Sequence, residues 1–248
     1  MPELPEVERA RALIESRAVG RTIARVDDRD TWVCRPHPPG EIAGAIAGAT
    51  LVASHRRGKA MWVEMDDAPP LGLHLGMTGR IAVDEDGDER FDRFTLRFED
   101  GGSLALRDKR RLGRAVLDPD LTRLGPDAAE VTRAEFRDRV GRGTAPLKAR
   151  LMDQSVIAGV GNLLADETLW RAGLSPLREA GSLTGDDLDA LRRALRAATR
   201  RAIRLGGVHT GELMPHRERG GHCPTCGAAL ERRTVGGRTT YWCPREQQ

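Results

Sequence analysis

The chain has 248 residues, with 40 Lys and Arg against 37 Asp and Glu, which gives a formal net charge of +3. A hydrophobic content of 39% is enough for a core, but no run approaches the roughly 18 consecutive apolar residues of a membrane span. The composition therefore excludes a helical membrane protein. Because the acidic opening residues lack the basic and apolar segments of a secretory signal, we expect a cytoplasmic protein.

The first predicted element is a helix over Pro5–Arg17, with Pro5 in its first turn. The pattern then changes to short β-rich runs, and Asp100-Gly101-Gly102 is a hairpin signal between the last two. The predicted runs are Thr22–Val26, Leu51–Glu64, Leu71–Val83, Phe94–Phe98 and Leu104–Leu106. A region of this length and pattern favours a β-sandwich that follows a leading helix.

Beyond Asp118 the pattern becomes helical. The clearest helix is Thr184–Leu205, because apolar residues recur every three or four positions, Thr184 and Asp187 form a capping arrangement, and Gly206 supplies the stop. The other predicted helices are Thr132–Val140, Ala145–Leu151 and Asn162–Ala172. The chain is thus predicted to be an α+β protein with an N-terminal sandwich domain over 1–120, a helical domain over 121–212 and a C-terminal hairpin over 213–248.

The C-terminal segment carries three of the four cysteines. Cys223 and Cys226 form a C-x-x-C pair, and Cys243 follows after sixteen residues that include the glycine pair Gly236-Gly237. This spacing is typical of a zinc ribbon built on a β-hairpin. The segment is too small to bury a core of its own, so a structural zinc ion is expected to stabilise it. The remaining cysteine, Cys34, is expected to be a small buried hydrophobic residue.

The fourth zinc ligand is less regular. A four-cysteine ribbon would have its last thiolate at position 246, where this chain has Glu246. A carboxylate oxygen can also bind zinc, so Glu246 is the expected ligand. His216 and His222 are alternative ligands, since imidazole binds zinc well. A hairpin without metal also remains open.

The N-terminus has the chemistry of a nucleophile. Removal of Met1 would expose Pro2 as a free secondary amine. An amine attacks carbon only when it is neutral, and an α-amino group has a reference pKa near 7.7, against about 10.4 for lysine. Pro2 is therefore the better nucleophile, and Lys59 the better fixed cation. Glu3 and Glu6 follow within the first helical turn, where a helix N-terminus favours carboxylates.

Here the residues resemble a known family. Pro2–Glu8 (PELPEVE) is similar to the opening of the formamidopyrimidine-DNA glycosylases, which are base-excision repair enzymes. Five further motifs follow in the order of the family, and together they cover nearly the whole chain. Arg56–Lys59 resembles the family's lysine hairpin, His74–Gly79 resembles its strand-loop motif, and Asp108–Gly113 resembles the loop that it inserts into DNA. Leu147–Pro176 resembles its helix–two-turn–helix element, and Arg238–Cys243 resembles the tip of its zinc-finger hairpin.

The resemblance implies a bifunctional DNA glycosylase and abasic-site lyase that removes a damaged base. An oxidised base is the first expectation. Pro2 would attack C1′ of the damaged nucleotide and then cleave the strand by β,δ-elimination. Glu3 would carry protons at the deoxyribose, Glu6 would orient the site, and Lys59 would hold a phosphate or the damaged base. The alternatives are a solvated acid for Glu6 and an exposed hairpin lysine for Lys59.

The resemblance also implies the contacts with DNA. Residues implied to contact it are His74, Met77, Arg110, Arg111, Leu112, Lys148, Asn162 and Arg238. Met77, Arg110 and Leu112 would fill the gap left by the displaced nucleotide; ordinary core packing is the alternative for Met77. Asn162 is expected to cap the helix after Gly161, where backbone amides form an anion site. Leu112 departs from the family, which has an aromatic residue there, so damage search or opposite-base preference is expected to differ.

The expected partner is double-stranded DNA with a damaged base or an abasic site, bound by a nucleoid-associated, cytoplasmic monomer. The lesion is less defined, because only Val208–Arg219 stands where the family has a longer loop that covers 8-oxoguanine. Oxidised pyrimidines, bulky adducts and bare abasic sites therefore remain open. A damaged-DNA-binding relative without enzymatic activity is the alternative function; the presence of Pro2, Glu3 and Lys59 argues against it.

Overall fold

The computed structural model describes residues 2–85 and 87–248, which form two compact units. The first unit comprises Pro2 and Val7–Thr122, and the second comprises Glu3–Glu6 and Arg123–Gln248. Met1, whose removal would expose the Pro2 amine, lies outside the described residues. Among the described residues no helix has both the length and the apolar character needed to cross a membrane.

The first unit consists mainly of two four-stranded antiparallel sheets. The helices are α1 (Leu4–Arg17), most of which belongs to this unit, and α2 (Glu41–Ile46). The strands are β1 (Ile23–Asp27), β2 (Leu51–Arg57), β3 (Ala60–Met65), β4 (Ala68–His74), β5 (Arg80–Val83), β6 (Asp92–Phe98), β7 (Ser103–Arg107) and β8 (Arg114–Leu117). One sheet has the order β1-β6-β7-β5 and the other the order β2-β3-β4-β8. Both sheets contribute to one apolar core, as in the predicted sandwich.

Two of the predicted β-rich runs divide in the structure. Leu51–Glu64 forms the hairpin of β2 and β3, which turns at Gly58 with a positive φ of 61°. Leu71–Val83 contains the end of β4 and all of β5, and these strands belong to different sheets. The chain changes sheets at residues 75–79, because the motif His74–Gly79 interrupts the strand. Helix α2 and strand β8 are not among the predicted elements, since both are short and carry little periodicity.

The second unit is built from four helices and a two-stranded hairpin. Its helices are α3 (Arg133–Val140), α4 (Leu147–Met152), α5 (Asn162–Ala172) and α6 (Gly185–Leu205), and its strands are β9 (Glu231–Val235) and β10 (Arg238–Trp242). Thr132 and Thr184 form capping boxes with Glu135 and Asp187, so the predicted start of α6 is confirmed. The turn between β9 and β10 is Gly236-Gly237, and both residues have positive φ, as a tight hairpin requires.

The core of the second unit includes a residue from the far end of the chain. Leu4 is fully buried among apolar residues of α3 to α6, such as Phe136, Leu164 and Leu195. Its amide donates a hydrogen bond to the carbonyl oxygen of Gly159 at 3.1 Å. Burying one leucine side chain contributes about 1.5–3 kcal/mol, so this residue anchors the segment Glu3–Glu6 in the unit.

Candidate functional site

The carboxylate of Glu3 caps helix α5. Its side chain is buried, and residue 3 is 1% exposed. Oε2 accepts hydrogen bonds from the amides of Gly161 and Leu164, both at 3.0 Å, and Oε1 accepts one from Leu163 at 2.9 Å. Helix α5 has no side-chain cap of its own at Gly161. The amide donors and the positive end of the helix dipole therefore hold a negatively charged carboxylate next to Pro2 in the sequence.

Close packing at Gly161 supports this arrangement. A Cβ atom at residue 161 would lie 2.3 Å from Cδ of Glu3, a distance that no real side chain tolerates. Gly161 is thus required by the approach of the carboxylate, not by its own φ. The N-cap of α5 is Gly161, and Asn162 is the first helical residue. The expectation that Asn162 caps this helix is therefore wrong, because the carboxylate of Glu3 satisfies the amides that a capping side chain would bind.

Glu6 fixes the backbone around Glu3. Its Oε2 accepts a hydrogen bond from the amide of Glu3 at 3.0 Å, and its Oε1 accepts one from the amide of Val208 at 2.7 Å. A Cβ atom on Gly207 would lie 2.4 Å from the same Oε1. Glu6 therefore joins the N-terminal segment to the residues that follow α6, an arrangement suited to a positioning residue.

Lys148 and Asn162 meet in a buried polar cluster. The ammonium of Lys148 donates hydrogen bonds to Oδ1 of Asn162 and Oγ1 of Thr240, both at 2.7 Å, and forms an ion pair with Asp166 at 2.6 Å. Burial lowers the pKa of Lys148, while the charge of Asp166 opposes that shift. Arg217 contacts the other carboxylate oxygen of Asp166 at 2.7 Å. The cluster thus connects α4, α5 and β10.

Asp166 and Arg217 are absent from the sequence prediction. Asp166 follows Asn162 by four residues, so the two share one face of α5. This spacing is the sequence pattern that could have indicated Asp166 as a site residue. Arg217 had no comparable signal. Arg238 begins β10 at the exposed tip of the hairpin, and it shares a strand face with Thr240. The tip is therefore held next to the cluster that contains Lys148.

In the first unit, Asp108 organises the two loops that carry Met77 and Leu112. Its Oδ1 accepts hydrogen bonds from Oγ1 of Thr78 at 2.7 Å and from the amide of Arg110 at 3.0 Å. Its Oδ2 accepts hydrogen bonds from the amides of Leu112 at 2.7 Å and of Gly113. Desolvation raises the pKa of Asp108, but these hydrogen bonds outweigh it and hold the pKa below its ordinary value.

The same loops present apolar tips to solvent. Met77 is 43% exposed and Leu112 is 36% exposed, so Met77 is not a core residue. A Cβ atom on Gly76, which has a φ of 59°, would lie 2.4 Å from the carbonyl carbon of Leu112. The loops therefore touch through their backbones and hold both side chains on one part of the surface.

Arg111 and His74 belong to the two loop motifs, and Lys59 is close enough to His74 to act on it electrostatically. Arg111 has a φ of 55° and forms an ion pair with Asp30 at 2.7 Å, which raises the pKa of Arg111. Asp30 is a partner that the sequence analysis missed. Nδ1 of His74 accepts a hydrogen bond from the amide of Gly76 at 3.0 Å. Desolvation lowers the pKa of His74, and the positive charge of Lys59 acts in the same direction, so the ring is neutral near pH 7.

The three C-terminal cysteines form a cluster. The sulfur atoms of Cys223, Cys226 and Cys243 lie within 4.8 Å of one another, and those of Cys226 and Cys243 are 3.5 Å apart. This donor set fits a tetrahedral zinc ion with three thiolates. Trp170 Nε1 donates a hydrogen bond to Cys223 Sγ at 3.5 Å. Cys34, by contrast, is buried in the core of the first unit, where burial raises its pKa to about 12.

No histidine or carboxylate among residues 2–85 and 87–248 adds a fourth atom to that cluster. Glu246 is nevertheless close to it. A backbone hydrogen bond from Ala228 lowers the pKa of Cys226, but desolvation and hydrogen bonds with neighbours that include Glu246 raise it to about 11. Glu246 is exposed and interacts with Cys226 by a side-chain hydrogen bond.

Comparison with known proteins matches both units. Residues 1–115 match the model of the formamidopyrimidine-DNA glycosylase N-terminal domain, and residues 124–212 match the model of the formamidopyrimidine-DNA glycosylase H2TH domain. The formamidopyrimidine-DNA glycosylase of Paracoccus denitrificans is 36% identical, with all of both chains covered. The one of Arabidopsis thaliana is 31% identical and covers all of this chain, which spans 71% of the plant protein.

Solved structures agree with these relatives. A complex of Lactococcus lactis Fpg with DNA that contains an abasic site has a TM-score of 0.87 and 28% sequence identity, with all of both chains covered. MutM in complex with carbocyclic 8-oxo-G DNA also has a TM-score of 0.87, at 29% identity. The fold and these relatives define a DNA glycosylase of base excision repair. The chain belongs to the formamidopyrimidine-DNA glycosylase family.

Proposed function

We propose that this chain removes a damaged base through the amine of Pro2 and then cleaves the DNA strand at the resulting abasic site. The single observation that carries the proposal is the buried carboxylate of Glu3, held by three amides of α5 one residue after Pro2. A carboxylate held in this way is available to exchange protons with the sugar and the leaving groups.

The steps follow from the chemistry of an amine. The neutral nitrogen of Pro2 attacks C1′, and the bond to the damaged base breaks, so that the base leaves with the electron pair and takes up a proton. Opening of the sugar ring gives an iminium ion between Pro2 and C1′. Loss of a proton from C2′ expels the 3′-phosphate, and a second elimination expels the 5′-phosphate. Glu3 moves the protons at the deoxyribose, Glu6 positions Glu3, and Lys59 holds a phosphate or the damaged base.

We assign DNA contacts to both units. Met77, Arg110 and Leu112 occupy the space of the displaced nucleotide; their exposure beside the ordered Asp108 loop supports this role. His74 and Arg111 in the first unit, and Asn162 and Arg238 in the second, bind phosphates. Lys148 is buried, so its expected part in phosphate binding acts through Asn162 and the hairpin tip.

The substrate class is an oxidised base or an abasic site. Relatives have been solved with DNA that contains Fapy-dG, carbocyclic 8-oxo-G or an oxidised pyrimidine. In this chain Val208–Arg219 contains two short 3-10 helices, Val208–Thr210 and Met214–His216, where a longer cover would stand. A panel of lesion-bearing duplexes ranks the substrates.

We also propose that zinc binds Cys223, Cys226 and Cys243, with Glu246 as the fourth ligand, and that it stabilises the hairpin without taking part in the chemistry. We further propose that the protein acts at the chromosome as a nucleoid-associated cytoplasmic monomer. The proposed domains are 1–120, 121–212 and 213–248.

Borohydride reduction tests the amine chemistry. It converts the iminium ion with abasic-site DNA into a stable covalent complex, which a denaturing gel detects. We expect the unchanged protein to be trapped and Pro2→Gly, or a protein that retains Met1, to lose trapping while DNA binding is kept. Trapping that survives both changes would contradict the amine of Pro2 as the nucleophile. Binding without any trapping would favour a damaged-DNA-binding protein that lacks enzymatic activity.

A further inference from the structure

A groove of about 410 Å³ lies on the surface of the second unit, between the end of α3, helix α4 and the segment that joins α4 to α5. We call it the arginine groove. Three arginines and one carboxylate give it a net positive charge, and the proposed function uses none of its residues. The lining residues are Asp138, Arg139, Arg142, Arg150, Ser155 and Val156.

Backbone carbonyl groups hold two of the three arginines in place. Nε and Nη2 of Arg150 donate hydrogen bonds to the carbonyl oxygen of Arg139, at 3.1 and 2.6 Å. Nη1 of Arg139 donates one to the carbonyl oxygen of Ser155 at 3.4 Å. Arg139 belongs to the last turn of α3, where the carbonyl groups of a helix lack partners within the helix. The guanidinium of Arg150 therefore caps α3 and has a fixed orientation.

These hydrogen bonds orient Arg139 and Arg150 but do not neutralise them. In the part of the chain that the structure describes, no carboxylate lies at ion-pair distance from either guanidinium, and Nη1 of Arg150 has no acceptor. Hydrogen bonds from hydroxyl groups lower the pKa of two acids outside the groove, Glu135 and Asp153, and the charges of Arg139 and Arg150 add to this effect. Two oriented cations that lack a carboxylate are suited to an anionic ligand that accepts bidentate hydrogen bonds.

The other polar groups of the arginine groove favour a polypeptide over a phosphate chain. Asp138 pairs with Arg142, but their side chains are 58% and 66% exposed, so water screens the pair. The carboxylate of Asp138 can accept hydrogen bonds from the backbone amides of a peptide, whereas a phosphodiester brings no donor and is repelled. None of the lining residues is aromatic, so a nucleobase has no ring to stack on. The expected ligand therefore combines carboxylates with a peptide backbone.

The arginine groove also faces away from the cluster that contains Lys148. Arg150 follows Lys148 by two residues, which places their side chains about 200° apart around α4. Lys148 binds Asn162 and the carbonyl oxygen of Thr239, next to the hairpin tip that carries Arg238. A ligand in the groove can thus bind while DNA occupies the surface at Asn162 and Arg238.

We infer that the arginine groove binds an acidic, carboxylate-rich segment of a partner protein, and that this binding is compatible with bound DNA. The forks of Arg139 and Arg150 hold carboxylates of the segment, and Asp138 accepts a hydrogen bond from its backbone. Binding of the acidic segment goes beyond the proposed function and does not depend on it. Compatibility with DNA rests on the proposed function.

The test measures the fluorescence anisotropy of a labelled peptide of about six glutamates, which is long enough to cross the groove. A glutamine peptide of the same length is the uncharged control. We expect the unchanged protein to bind the glutamate peptide at least about tenfold more tightly than the glutamine peptide, because only carboxylates are charged partners for the arginine forks. Binding should weaken as salt is added.

Two substitutions assign this binding to the groove. Arg150→Gln and Arg139→Gln should each weaken binding of the glutamate peptide by about fivefold or more, since each removes one charged fork. Arg204→Ala is the matched control, at an exposed arginine of α6 outside the groove, and should bind normally. Thermal unfolding of each variant separates lost contacts from lost folding. Arg139→Gln keeps the test valid if Arg150→Gln unfolds, because Arg139 is exposed and the only hydrogen bond that the described chain gives its side chain is the long one to Ser155.

A second titration adds the glutamate peptide to protein that is saturated with an uncleavable abasic-site duplex. The affinity for the peptide should stay within about twofold of the value without DNA, as for two sites that share no partner. Arg139→Gln should keep its affinity for the duplex and its borohydride trapping.

Three outcomes would overturn the inference. Equal binding of the glutamate and glutamine peptides would exclude recognition of carboxylates. Equal weakening by Arg204→Ala and by the two groove variants would show attraction to the whole cationic surface and no site. Displacement of the peptide by the duplex, together with weaker duplex binding by Arg139→Gln, would make the groove a contact for DNA phosphates. Borohydride trapping by the unchanged protein reports on the proposed function alone, and peptide binding is measured without DNA, so the two failures are distinguishable.

Discussion

At the scale of single residues, the proposed catalytic role of Glu3 and its observed role as the cap of α5 depend on the same atoms. Both carboxylate oxygens accept hydrogen bonds from amides of α5, so the side chain cannot rotate without exposing those donors. The negative charge that suits proton transfer is also the charge that stabilises the helix N-terminus. Replacement of Glu3 should therefore affect activity and stability together.

Glu3→Gln tests this coupling. The amide side chain keeps the shape but loses the charge, and its NH2 group meets amide donors in place of an acceptor. We expect strand cleavage to slow by about 10²–10⁴-fold, the usual contribution of a general acid or base. We also expect the free energy of unfolding to fall by about 1–3 kcal/mol. Single-turnover kinetics and urea unfolding measure the two effects.

The control for that substitution is Glu218→Gln, at an exposed residue of the second unit. It should change neither quantity. Normal strand cleavage by Glu3→Gln would show that Glu3 does not take part in the proton transfers. An unchanged free energy of unfolding would contradict its role as a helix cap.

At the scale of elements, the loop over Lys109–Gly113 takes its shape from one carboxylate. Three of its amides and Thr78 donate hydrogen bonds to Asp108, and Gly76 packs against the backbone of Leu112. These contacts fix a loop that has no regular secondary structure. The order of the loop should thus depend on the charge of Asp108.

The pH dependence of stability follows from that charge. Because the pKa of Asp108 is held below its ordinary value of 3.8, the folded state binds fewer protons than the unfolded state. The stabilisation is complete above the unfolded pKa and is lost as the pH falls through the folded pKa. Asp108→Asn should therefore be less stable than the unchanged protein at pH 6 to 7, and the difference should shrink below pH 4 in urea unfolding.

Asp67→Asn is the control, at an exposed turn carboxylate. Its stability should follow that of the unchanged protein across the same range. A difference for Asp108→Asn that stays constant from pH 7 to pH 2 would contradict the ionisation of Asp108 as the cause.

The C-terminal hairpin provides the metal prediction. Cys226→Ser should lower the bound zinc to a small fraction of one ion per chain, since two thiolates bind the ion much more weakly than three. Loss of the ion should also reduce DNA binding, because it releases the hairpin tip that carries Arg238. Metal analysis of the purified protein and duplex titration measure these effects.

Cys34→Ala is the matched cysteine control and should retain zinc, since Cys34 lies in the other unit. Glu246→Gln tests the proposed fourth ligand, and His222→Asn tests an alternative fourth ligand. Full zinc occupancy in Cys226→Ser, or a folded, DNA-binding protein purified without zinc, would contradict the proposed site.

At the scale of the whole molecule, a net charge of +3 conceals local clusters of cations. The run Arg107–Arg114 contains five cations and one acid, and the tail from Arg232 onward has four arginines and one glutamate. Binding to a polyanion depends on such local clusters more than on net charge.

Salt dependence measures how many of these cations meet phosphates. The affinity for duplex DNA should fall steeply between 50 and 200 mM salt, because each neutralised phosphate releases counterions. Arg238→Ala should lower the slope of log affinity against log salt by about 1. Arg204→Ala, at an exposed position of α6, should leave the slope unchanged. Equal slopes for the unchanged protein, Arg238→Ala and Arg204→Ala would show that Arg238 does not contact a phosphate.

Much of this molecule was determined by sequence alone, because its strongest signals are local. The start of α6 follows from Thr184 and Asp187, the hairpin turn from Gly236-Gly237, and the cluster of three cysteines from their spacing. A capping box, a left-handed turn and a C-x-x-C pair each act over a few residues, so they can be read without tertiary contacts.

The groups that satisfy one another over long distances are brought together by tertiary packing. No local pattern indicates that Glu3 caps a helix that begins at Asn162, that Asp166 pairs with Arg217, or that Asp30 pairs with Arg111. Buried donors and charges need partners, but the chain brings those partners from any sequence distance once the apolar cores have formed. Those pairings are set by packing, and they hold the residues of the candidate site in place.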